Sequence, residues 1–286
     1  MPRASGGAAM SSVSLRESAD KGLQRVARLA YKQFGLDLGV GKEGLVEARL
    51  GKKVKQLGLT SLEDYCSFVE SEKTGQALLE LIDALTTNHT SFFRESKHFD
   101  FLKAVAFPQW RNRREIPVWS AACSSGEEPY SLAMTLLEEL GPAAGGASIL
   151  ATDISTRVLA VAAKGLYAVD SFPQPLPAWL GKYLLRGKGN SEGWLSMKPL
   201  VRNKIRFERL NLIQPLPPMG AFAAIFCRNV MIYFDRPTQE AVVNRLAERL
   251  EPGGYLLVGH SESLSGVRHG LEYVCPATYR KPGRPR

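Results

Sequence analysis

From about residue 110 the chain alternates short apolar runs with amphipathic helices, and this alternation constrains the fold more than any other feature. The runs that have the length of strands lie at 116–122, 148–152, 221–227, 255–259 and 272–280. Helical periods occupy 129–140, 155–164 and 237–250. Because strands separated by helices pair in parallel, we predict an α/β fold with a doubly wound, mainly parallel sheet covered by helices on both faces.

The first part of the chain has helical periodicity. One apolar stripe follows a predicted first helix, through Leu23, Val26, Ala30 and Phe34, and a second follows 43–57, through Val46, Leu50, Val54 and Leu57. Ser61 and Asp64 have the spacing of a helix start, and a fourth helix is predicted at 77–85. We therefore predict a flexible tail at 1–14, a helical domain at 15–85 and the α/β domain at 86–286.

Positive charge is concentrated in one segment of the α/β domain. The chain carries a net charge of +9, and residues 1–85 are nearly neutral, with 12 Lys and Arg against 11 Asp and Glu. Residues 170–205 interrupt the strand–helix alternation and are predicted to form an insertion. Eight basic residues lie between 182 and 209, against Glu192 and Glu208: Lys182, Arg186, Lys188, Lys198, Arg202, Lys204, Arg206 and Arg209. Such a segment suits an anionic partner or a solvated surface loop, and charge alone favours the loop.

Several protein classes are disfavoured by composition. No apolar run approaches the roughly 18–20 residues that span a bilayer, so insertion into a membrane is not expected. The first fourteen residues lack the apolar stretch of a secretion signal. The four cysteines are widely separated and lack metal-ligand spacing, which favours reduced thiols, a cytoplasmic location and no metal centre.

The turn after the first predicted strand is a candidate ligand site, because ligands of open α/β sheets lie outside the carboxyl ends of the strands. Its residues run from Cys123 through Gly126 to Glu127 and Glu128. The pattern is not G-x-G-x-x-G, and two glutamates would repel a phosphate. They suit a cofactor with a cationic end, although glutamates also stabilise a helix N-terminus electrostatically.

Further candidates follow the other strands. Asp153 ends the second strand, 27 residues beyond Gly126, where an acidic residue typically holds ribose hydroxyls or caps a helix. Arg228 and Asn229 follow the third strand, and a charge that emerges from an apolar strand requires a partner. The pair Asn211 and Leu212 is expected beside them.

Five motifs in order resemble the CheR chemotaxis methyltransferases. They are 87–95 with His98-Phe99, 118–131 (VWSAACSSGEEPYS), 151–155 (ATDIS), 225–234 (IFCRNVMIYF) and 259–263 (GHSES), with Asn211-Leu212 between them. The resemblance covers about residues 15–280. It implies a helical N-terminal domain and a Rossmann-like domain that binds S-adenosylmethionine (SAM), with a β-subdomain inserted near 170–205.

The resemblance also implies roles for individual residues. Cofactor contacts carry over to Asn88, Thr90, Arg94, Glu128, Asp153, Asn211, Leu212, Arg228 and Asn229. Asp153 would hold the ribose, and Glu128 the methionyl part, with Glu127 as the alternative. Arg94 and Tyr233 match positions that line the methyl-transfer site and are predicted to be catalytic. We assign His98 to structure and leave His260 undecided.

The implied reaction transfers a methyl group from SAM to glutamate carboxylates in the cytoplasmic helical domain of a chemotaxis receptor, leaving S-adenosylhomocysteine. The basic face of the second helix (Arg49, Lys52, Lys53) would meet the receptor, or is a solvated face. The basic insertion would bind a receptor C-terminal peptide. The alternatives are a SAM-dependent enzyme for another substrate such as RNA, which the helical domain disfavours, and a non-catalytic receptor-binding module. The oligomeric state stays open.

Overall fold

The computed structural model describes residues 12–39 and 41–283 and divides into two compact units after Thr87. Residues 1–11 of the predicted tail lie outside the described residues, and the first helix begins at Ser12, inside the range 1–14. Within the described residues, no helix is both long and apolar enough to cross a membrane.

The first unit is helical, as predicted. Its helices are α1 (Ser12–Phe34), α2 (Glu43–Gln56), α3 (Leu62–Ser71) and α4 (Gln76–Leu85). Val46, Leu50 and Val54 are buried along one side of α2, which confirms the predicted stripe there. The extension of that stripe to Leu57 was wrong, because Leu57 lies beyond the last turn of the helix and is 43% exposed. The predicted start of α3 is confirmed, since Ser61 Oγ accepts a hydrogen bond from the Asp64 amide.

Some of the basic side chains of α2 are engaged in contacts within the protein. Arg49 donates to the Leu85 carbonyl and to Thr87 Oγ1, and Lys53 pairs with Glu80. Lys52 and Lys55 are exposed. The exposed positive charge of this helix therefore lies on Lys52 and Lys55 more than on the predicted Arg49 and Lys53.

The second unit contains the predicted α/β domain. Its helices are α5 (Lys97–Phe101), α6 (Phe107–Trp110), α7 (Glu127–Leu140), α8 (Thr156–Lys164), α9 (Pro199–Arg202) and α10 (Arg236–Glu248), with a π-helical turn at Leu102–Ala106. Its strands are β1 (Ile116–Ala121), β2 (Ala147–Asp153), β3 (Leu166–Ala168), β4 (Leu184–Arg186), β5 (Trp194–Met197), β6 (Ile205–Arg209), β7 (Phe222–Cys227), β8 (Leu250–Val258), β9 (Glu272–Cys275) and β10 (Thr278–Arg280).

Seven strands form the main sheet, in the order β6-β2-β1-β7-β8-β10-β9. The first five of these are parallel, which confirms the predicted fold class. The chain runs outward from β1 through β2 to β6 and then returns to the other side of β1 as β7. Side chains of β7 alternate between two core clusters, Phe226 in one and Ile225 and Cys227 in the other, because helices cover both faces.

Two predicted strand boundaries were wrong. Strand β8 begins at Leu250 rather than 255, because Pro252, Gly253 and Gly254 form an irregularity within the strand where its register with β7 shifts. The final strand divides into β9 and β10, which pair antiparallel across a turn in which Ala277 has φ +61°. Glycine and proline predicted an interruption at 252–254. The register with β7 does shift there, but Gly253 and Gly254 keep main-chain hydrogen bonds to Lys281.

The predicted insertion contains a separate three-stranded antiparallel sheet in the order β3-β5-β4. It begins at Leu166, earlier than the predicted 170, because Gly165 ends α8 in a left-handed conformation and leads directly into β3. It ends before 205, since Ile205 already belongs to β6 of the main sheet.

Candidate active site

The order of the main sheet reverses between β1 and β7, and such a switch point is where open α/β sheets bind ligands. The turn after β1 is tightly constrained there. Gly126 has φ +99°, and a Cβ at this position would lie 2.7 Å from Tyr167 Oη. Tyr167, on β3, donates a hydrogen bond to the Ser125 carbonyl at 2.7 Å. The turn therefore requires glycine at 126, and the inserted sheet fixes its position.

Asp153 ends β2 beside this turn. Its Oδ2 accepts from the Ser124 amide at 2.9 Å, and its Oδ1 accepts from the Ser155 amide at 3.0 Å. Ser155 Oγ caps α8 by accepting from the Val158 amide, so the helix cap that was one of the two roles expected for Asp153 belongs to Ser155 instead. Asp153 instead connects the turn after β1 to the end of β2.

Asn211 and Leu212 follow β6 at the same edge of the sheet. The Leu210 amide donates to the Asp153 carbonyl at 3.0 Å, which brings this segment beside the turn. Asn211 Oδ1 accepts from the Ile213 amide at 3.2 Å, and Leu212 is 8% exposed and packs in the core. The pair therefore lies next to Asp153, and not directly beside Arg228 and Asn229 as predicted, because strands β2 and β1 separate β6 from β7.

Arg228 is the centre of a buried ionic network. Its side chain is 3% exposed, and its guanidinium donates to Glu128 Oε2 at 3.0 Å and to Glu95 Oε2 at 2.9 Å. A further N–H donates to the Arg94 carbonyl at 2.5 Å. Ser120 Oγ donates to the other oxygen of Glu128 at 2.6 Å. The charge at the end of β7 therefore has the partners that its burial requires.

Two carboxylates share the single guanidinium of Arg228, so this network has an excess of negative charge when both are ionised. Burial raises the pKa of Glu128 in spite of Arg228. Burial also acts to raise the pKa of Glu95, but the charge and hydrogen bonds of Arg228 outweigh it and lower that pKa. Glu127, buried nearby, accepts from Ser125 Oγ at 2.7 Å. The arrangement favours a ligand with a positive charge.

The segment 88–95 lies against the same turn. Ser124 Oγ donates to the Asn88 carbonyl at 3.1 Å, and the Phe93 amide donates to Ser131 Oγ on α7 at 3.0 Å. Arg94 is half-buried, and its side chain donates to the His89 carbonyl at 2.9 Å. The structure thus brings the segment that holds Asn88, Thr90 and Arg94 to the turn after β1 and to α7.

Strained backbone is concentrated at this site. Of the six non-glycine residues with positive φ in the described ranges, five lie in its segments: Phe93, Glu95, Ala122, Ser124 and Asn229. Such conformations persist only where the surrounding contacts enforce them, and they cluster at functional sites. Tyr233 ends the short 3-10 turn Met231–Tyr233 that follows Asn229, and it is half-buried.

Sequence reasoning missed two residues of the site. Glu95 binds Arg228, and Glu262, from the GHSES motif, accepts from the Asn229 amide at 2.8 Å. The signal for Glu95 was the buried arginine itself, because a charge at the end of an apolar strand requires a carboxylate. The separation of 33 residues between Glu262 and Asn229 left no local pattern from which to infer their contact.

Glu95, His98 and His260 form a compact cluster whose possible ligand atoms lie within 4.8 Å of one another. His98 is 1% exposed, and its ring contacts that of His260 at a centroid distance of 4.6 Å. A metal ion here would share the Glu95 carboxylate with the Arg228 guanidinium, whose positive charge opposes it. We therefore assign the cluster to the ionic network.

Burial, together with the charge of Arg228, lowers the pKa of His98 to about 3. The unfolded chain binds a proton near pH 6.5 that the folded protein excludes, so stability is lost as the pH falls below about 6.5. We expect this histidine to remove about 1.4 kcal/mol from the free energy of unfolding per pH unit between pH 6 and 4. Urea denaturation of His98→Gln should show a correspondingly weaker acid dependence than the wild type. His89→Gln, at an exposed histidine, should keep the full dependence, and equal slopes for all three proteins would contradict the assignment.

Comparison with known proteins agrees with this architecture. A family model described as CheR methyltransferase, SAM binding domain, matches residues 88–279, and a second, described as CheR methyltransferase, all-alpha domain, matches residues 21–86.

Three chemotaxis protein methyltransferases are similar along most of the chain. That of Borreliella burgdorferi is 41% identical over 91% of this chain and 93% of the relative. That of Escherichia coli is 41% identical over 86% and 85%, and the second such enzyme of Pseudomonas aeruginosa is 39% identical over 90% and 91%. The protein therefore belongs to the CheR family of methyltransferases, whose cofactor is SAM.

Proposed function

We propose that this protein transfers the methyl group of SAM to glutamate side chains in the cytoplasmic helical domain of a chemotaxis receptor. The family membership and the names of its relatives support methylation in chemotaxis. The observation that carries the proposal is the carboxylate-rich network around Arg228, placed beside the glycine turn at the switch point of the sheet.

The residues at this edge fit SAM. The small-residue turn at 123–126 lets a ligand approach the backbone, and the excess negative charge suits the sulfonium and ammonium groups of the cofactor. Asp153 would hold the ribose, as its place at the end of β2 allows. Glu128 would face the methionyl part, with Glu127 as the alternative because Arg228 and Ser120 already occupy the carboxylate of Glu128. Asn88, Thr90, Asn211, Leu212 and Asn229 would complete the contacts.

The proposed chemistry needs orientation rather than proton transfer. When bound, SAM supplies a sulfonium methyl group that passes to a carboxylate oxygen and leaves S-adenosylhomocysteine. A glutamate side chain has a pKa near 4.3 and is already ionised at neutral pH, so no general base is required. Arg94 would orient the substrate carboxylate through its guanidinium, and Tyr233 would donate its hydroxyl. Such positioning can contribute roughly 7–11 kcal/mol to catalysis.

Two alternatives remain distinct from this proposal. A non-catalytic receptor-binding module would be free to lose the residues of the methyl-transfer site, yet Arg94, Asp153, Arg228 and Tyr233 are all present. A nucleic-acid methyltransferase would use the basic insertion. Six of the eight cations between residues 182 and 209, however, donate to carbonyls or carboxylates of the protein.

The direct experiment incubates the purified protein with methyl-labelled SAM and receptor-bearing membranes, followed by mild base. Methyl esters hydrolyse under these conditions and release the label as methanol. Base-labile label on the receptor supports the proposal. Cofactor binding without such label would refute the receptor-glutamate substrate, and labelled RNA would identify the alternative.

The inserted sheet offers a surface for a receptor C-terminal peptide. Strand β4 lies at the edge of this sheet, where an extended peptide can add as a further strand. The register places Leu166 and Leu185 on either side of Ser196, and Trp194 follows on the same face. These three apolar side chains are 45–51% exposed. Arg186 and Lys188, the two remaining cations, are exposed, and their side chains have no hydrogen-bond or ion-pair partner among the described residues.

We expect the double variant Arg186→Glu, Lys188→Glu to weaken binding of such a peptide about tenfold, because two attractive charges near its terminal carboxylate become repulsive. Fluorescence anisotropy with a labelled receptor C-terminal peptide measures this. Arg206→Glu is the control, since Arg206 is equally exposed but pairs with Glu208 on β6 of the main sheet. Equal affinity of the double variant and the wild type would refute peptide capture at β4.

A further inference from the structure

The side chain of Glu262 accepts hydrogen bonds from backbone N–H groups of two separate loops. It lies after β8 and is 7% exposed. Its Oε2 accepts from the amides of Asn229 at 2.8 Å and Gly259 at 2.6 Å. Its Oε1 accepts from the amides of Met231 at 2.8 Å and Ile232 at 3.4 Å. One carboxylate thus satisfies four amides, three of which belong to the loop after β7.

That loop carries two residues of the proposed site. Asn229 adopts φ +58°, a conformation that requires support from its surroundings, and its side-chain amide donates to Glu95 Oε1 at 3.3 Å. Tyr233 ends the 3-10 turn that begins at Met231, whose amide Glu262 accepts. The bonds of Glu262 therefore fix the backbone on both sides of Val230, between Asn229 and Tyr233.

Gly259 makes the approach of this carboxylate possible. A Cβ at position 259 would lie 2.5 Å from Asn229 Nδ2 and 2.8 Å from Glu262 Oε2. Any side chain here would therefore force the asparagine and the glutamate apart. The conformation of the Asn229 loop depends on the close contact between the two loops as well as on the carboxylate.

We propose that Glu262 is a positioning residue for methyl transfer: it holds Asn229 against the cofactor and Tyr233 against the substrate carboxylate without touching either. Four converging N–H groups form an anion-binding arrangement, and a carboxylate of the chain itself occupies it. The loop is thereby ordered before any ligand binds, which avoids the entropic cost of ordering it during the reaction. The part of this inference that concerns Tyr233 rests on the proposed function.

Glu262→Gln tests the inference with almost no change of shape. A glutamine offers one acceptor oxygen, and its NH₂ group would face one of the two pairs of amides as a second donor. Buried amides that lose their acceptor displace the loop. We expect the Kd for SAM to rise about tenfold or more and kcat to fall by at least as much. The KM for the receptor should stay within about twofold, because no receptor contact is lost.

Gly259→Ala is the second variant and should give the same pattern, since its Cβ separates Asn229 from Glu262. Tyr279→Phe is the matched control, because it removes one hydrogen bond to the amide of Leu264, close to Glu262, without touching the Asn229 loop. It should lower the unfolding midpoint but keep the Kd for SAM.

Isothermal titration of SAM, thermal unfolding and the kcat of receptor methylation are measured on the three variants and the wild type. A Kd and a kcat within twofold of the wild type for Glu262→Gln would overturn the inference. So would equal losses of affinity in Tyr279→Phe, which would mean that general destabilisation is the cause. The titration with SAM needs no receptor. If the receptor-glutamate proposal failed, the inference that Glu262 positions Asn229 for SAM would stand, and only the inference about Tyr233 would be lost.

Discussion

Replacing Arg228 by methionine is expected to lower the free energy of unfolding by about 3–5 kcal/mol and to abolish measurable SAM binding, because a buried ion pair loses its only cation. Glu95 and Glu128 would remain buried without the guanidinium that now bonds both. The Arg94 carbonyl would also lose its donor, so the segment that carries Arg94 would be released from the end of β7.

Urea denaturation and isothermal titration with SAM measure these two effects. Arg113→Met is the matched control, because Arg113 pairs with Glu251 at 2.7 Å but both side chains are partly exposed, at 32% and 25%, against 3% for Arg228. A solvent-accessible pair of this kind contributes at most about 1 kcal/mol. Arg228→Met with a stability change as small as that of Arg113→Met, and with SAM binding retained, would contradict the central role of this network.

A double variant distinguishes the loss of the attraction between Arg228 and its carboxylates from the cost of burying a carboxylate that has no partner. Adding Glu128→Gln to Arg228→Met removes one of the carboxylates that the first substitution leaves unpaired. We expect the double variant to recover part of the lost stability, since much of the penalty is the burial of an unpaired charge.

Arg94→Ala is expected to reduce kcat by about 100-fold or more, which corresponds to at least about 2.7 kcal/mol of lost orientation in the transition state. The fold should remain, because the side chain of Arg94 is half-buried and its bond is to the neighbouring His89 carbonyl. The contact with Arg228 uses the main-chain oxygen, which alanine keeps. The Kd for SAM should rise as well, about tenfold, since Arg94 also belongs to the proposed cofactor contacts.

Rates of receptor methylation at saturating SAM separate these two effects. Lys97→Ala is the control for Arg94→Ala, because Lys97 is an exposed cation three residues along the chain. It should leave both kcat and the Kd for SAM unchanged. A kcat within threefold of the wild type in Arg94→Ala would remove Arg94 from the methyl-transfer site.

The sequence predicted those parts of the fold that local periodicity encodes. Strand β1 is observed at Ile116–Ala121 against a prediction of 116–122, because a short apolar run bounded by turn residues is typical of a buried parallel strand. Strand β8 was predicted five residues late, because its pairing with β7 overrides the local tendency of Pro252, Gly253 and Gly254 to break a strand. Tertiary pairing of this kind leaves no signal in the segment itself.

The residues of the candidate site also divide into those that the local sequence predicts and those that depend on distant contacts. Asp153 and Arg228 were predicted from their places after strands, since topology brings those places to one edge of the sheet. Glu95 and Glu262 were not, because their roles depend on contacts 133 and 33 residues away in the chain. The two glutamates share a low exposure, 14% for the side chain of Glu95 and 7% for Glu262, which the sequence around them does not reveal.

The proposed transfer of the SAM methyl group to a glutamate carboxylate of a receptor can be followed on the receptor itself. Receptor peptides are analysed by mass spectrometry after incubation with the protein and methyl-labelled SAM. We expect one added labelled methyl group on glutamate side chains, removed by mild base, and its loss with Arg94→Ala. Label on a nitrogen atom, on nucleic acid or on no macromolecule, from a protein that binds SAM, would contradict it.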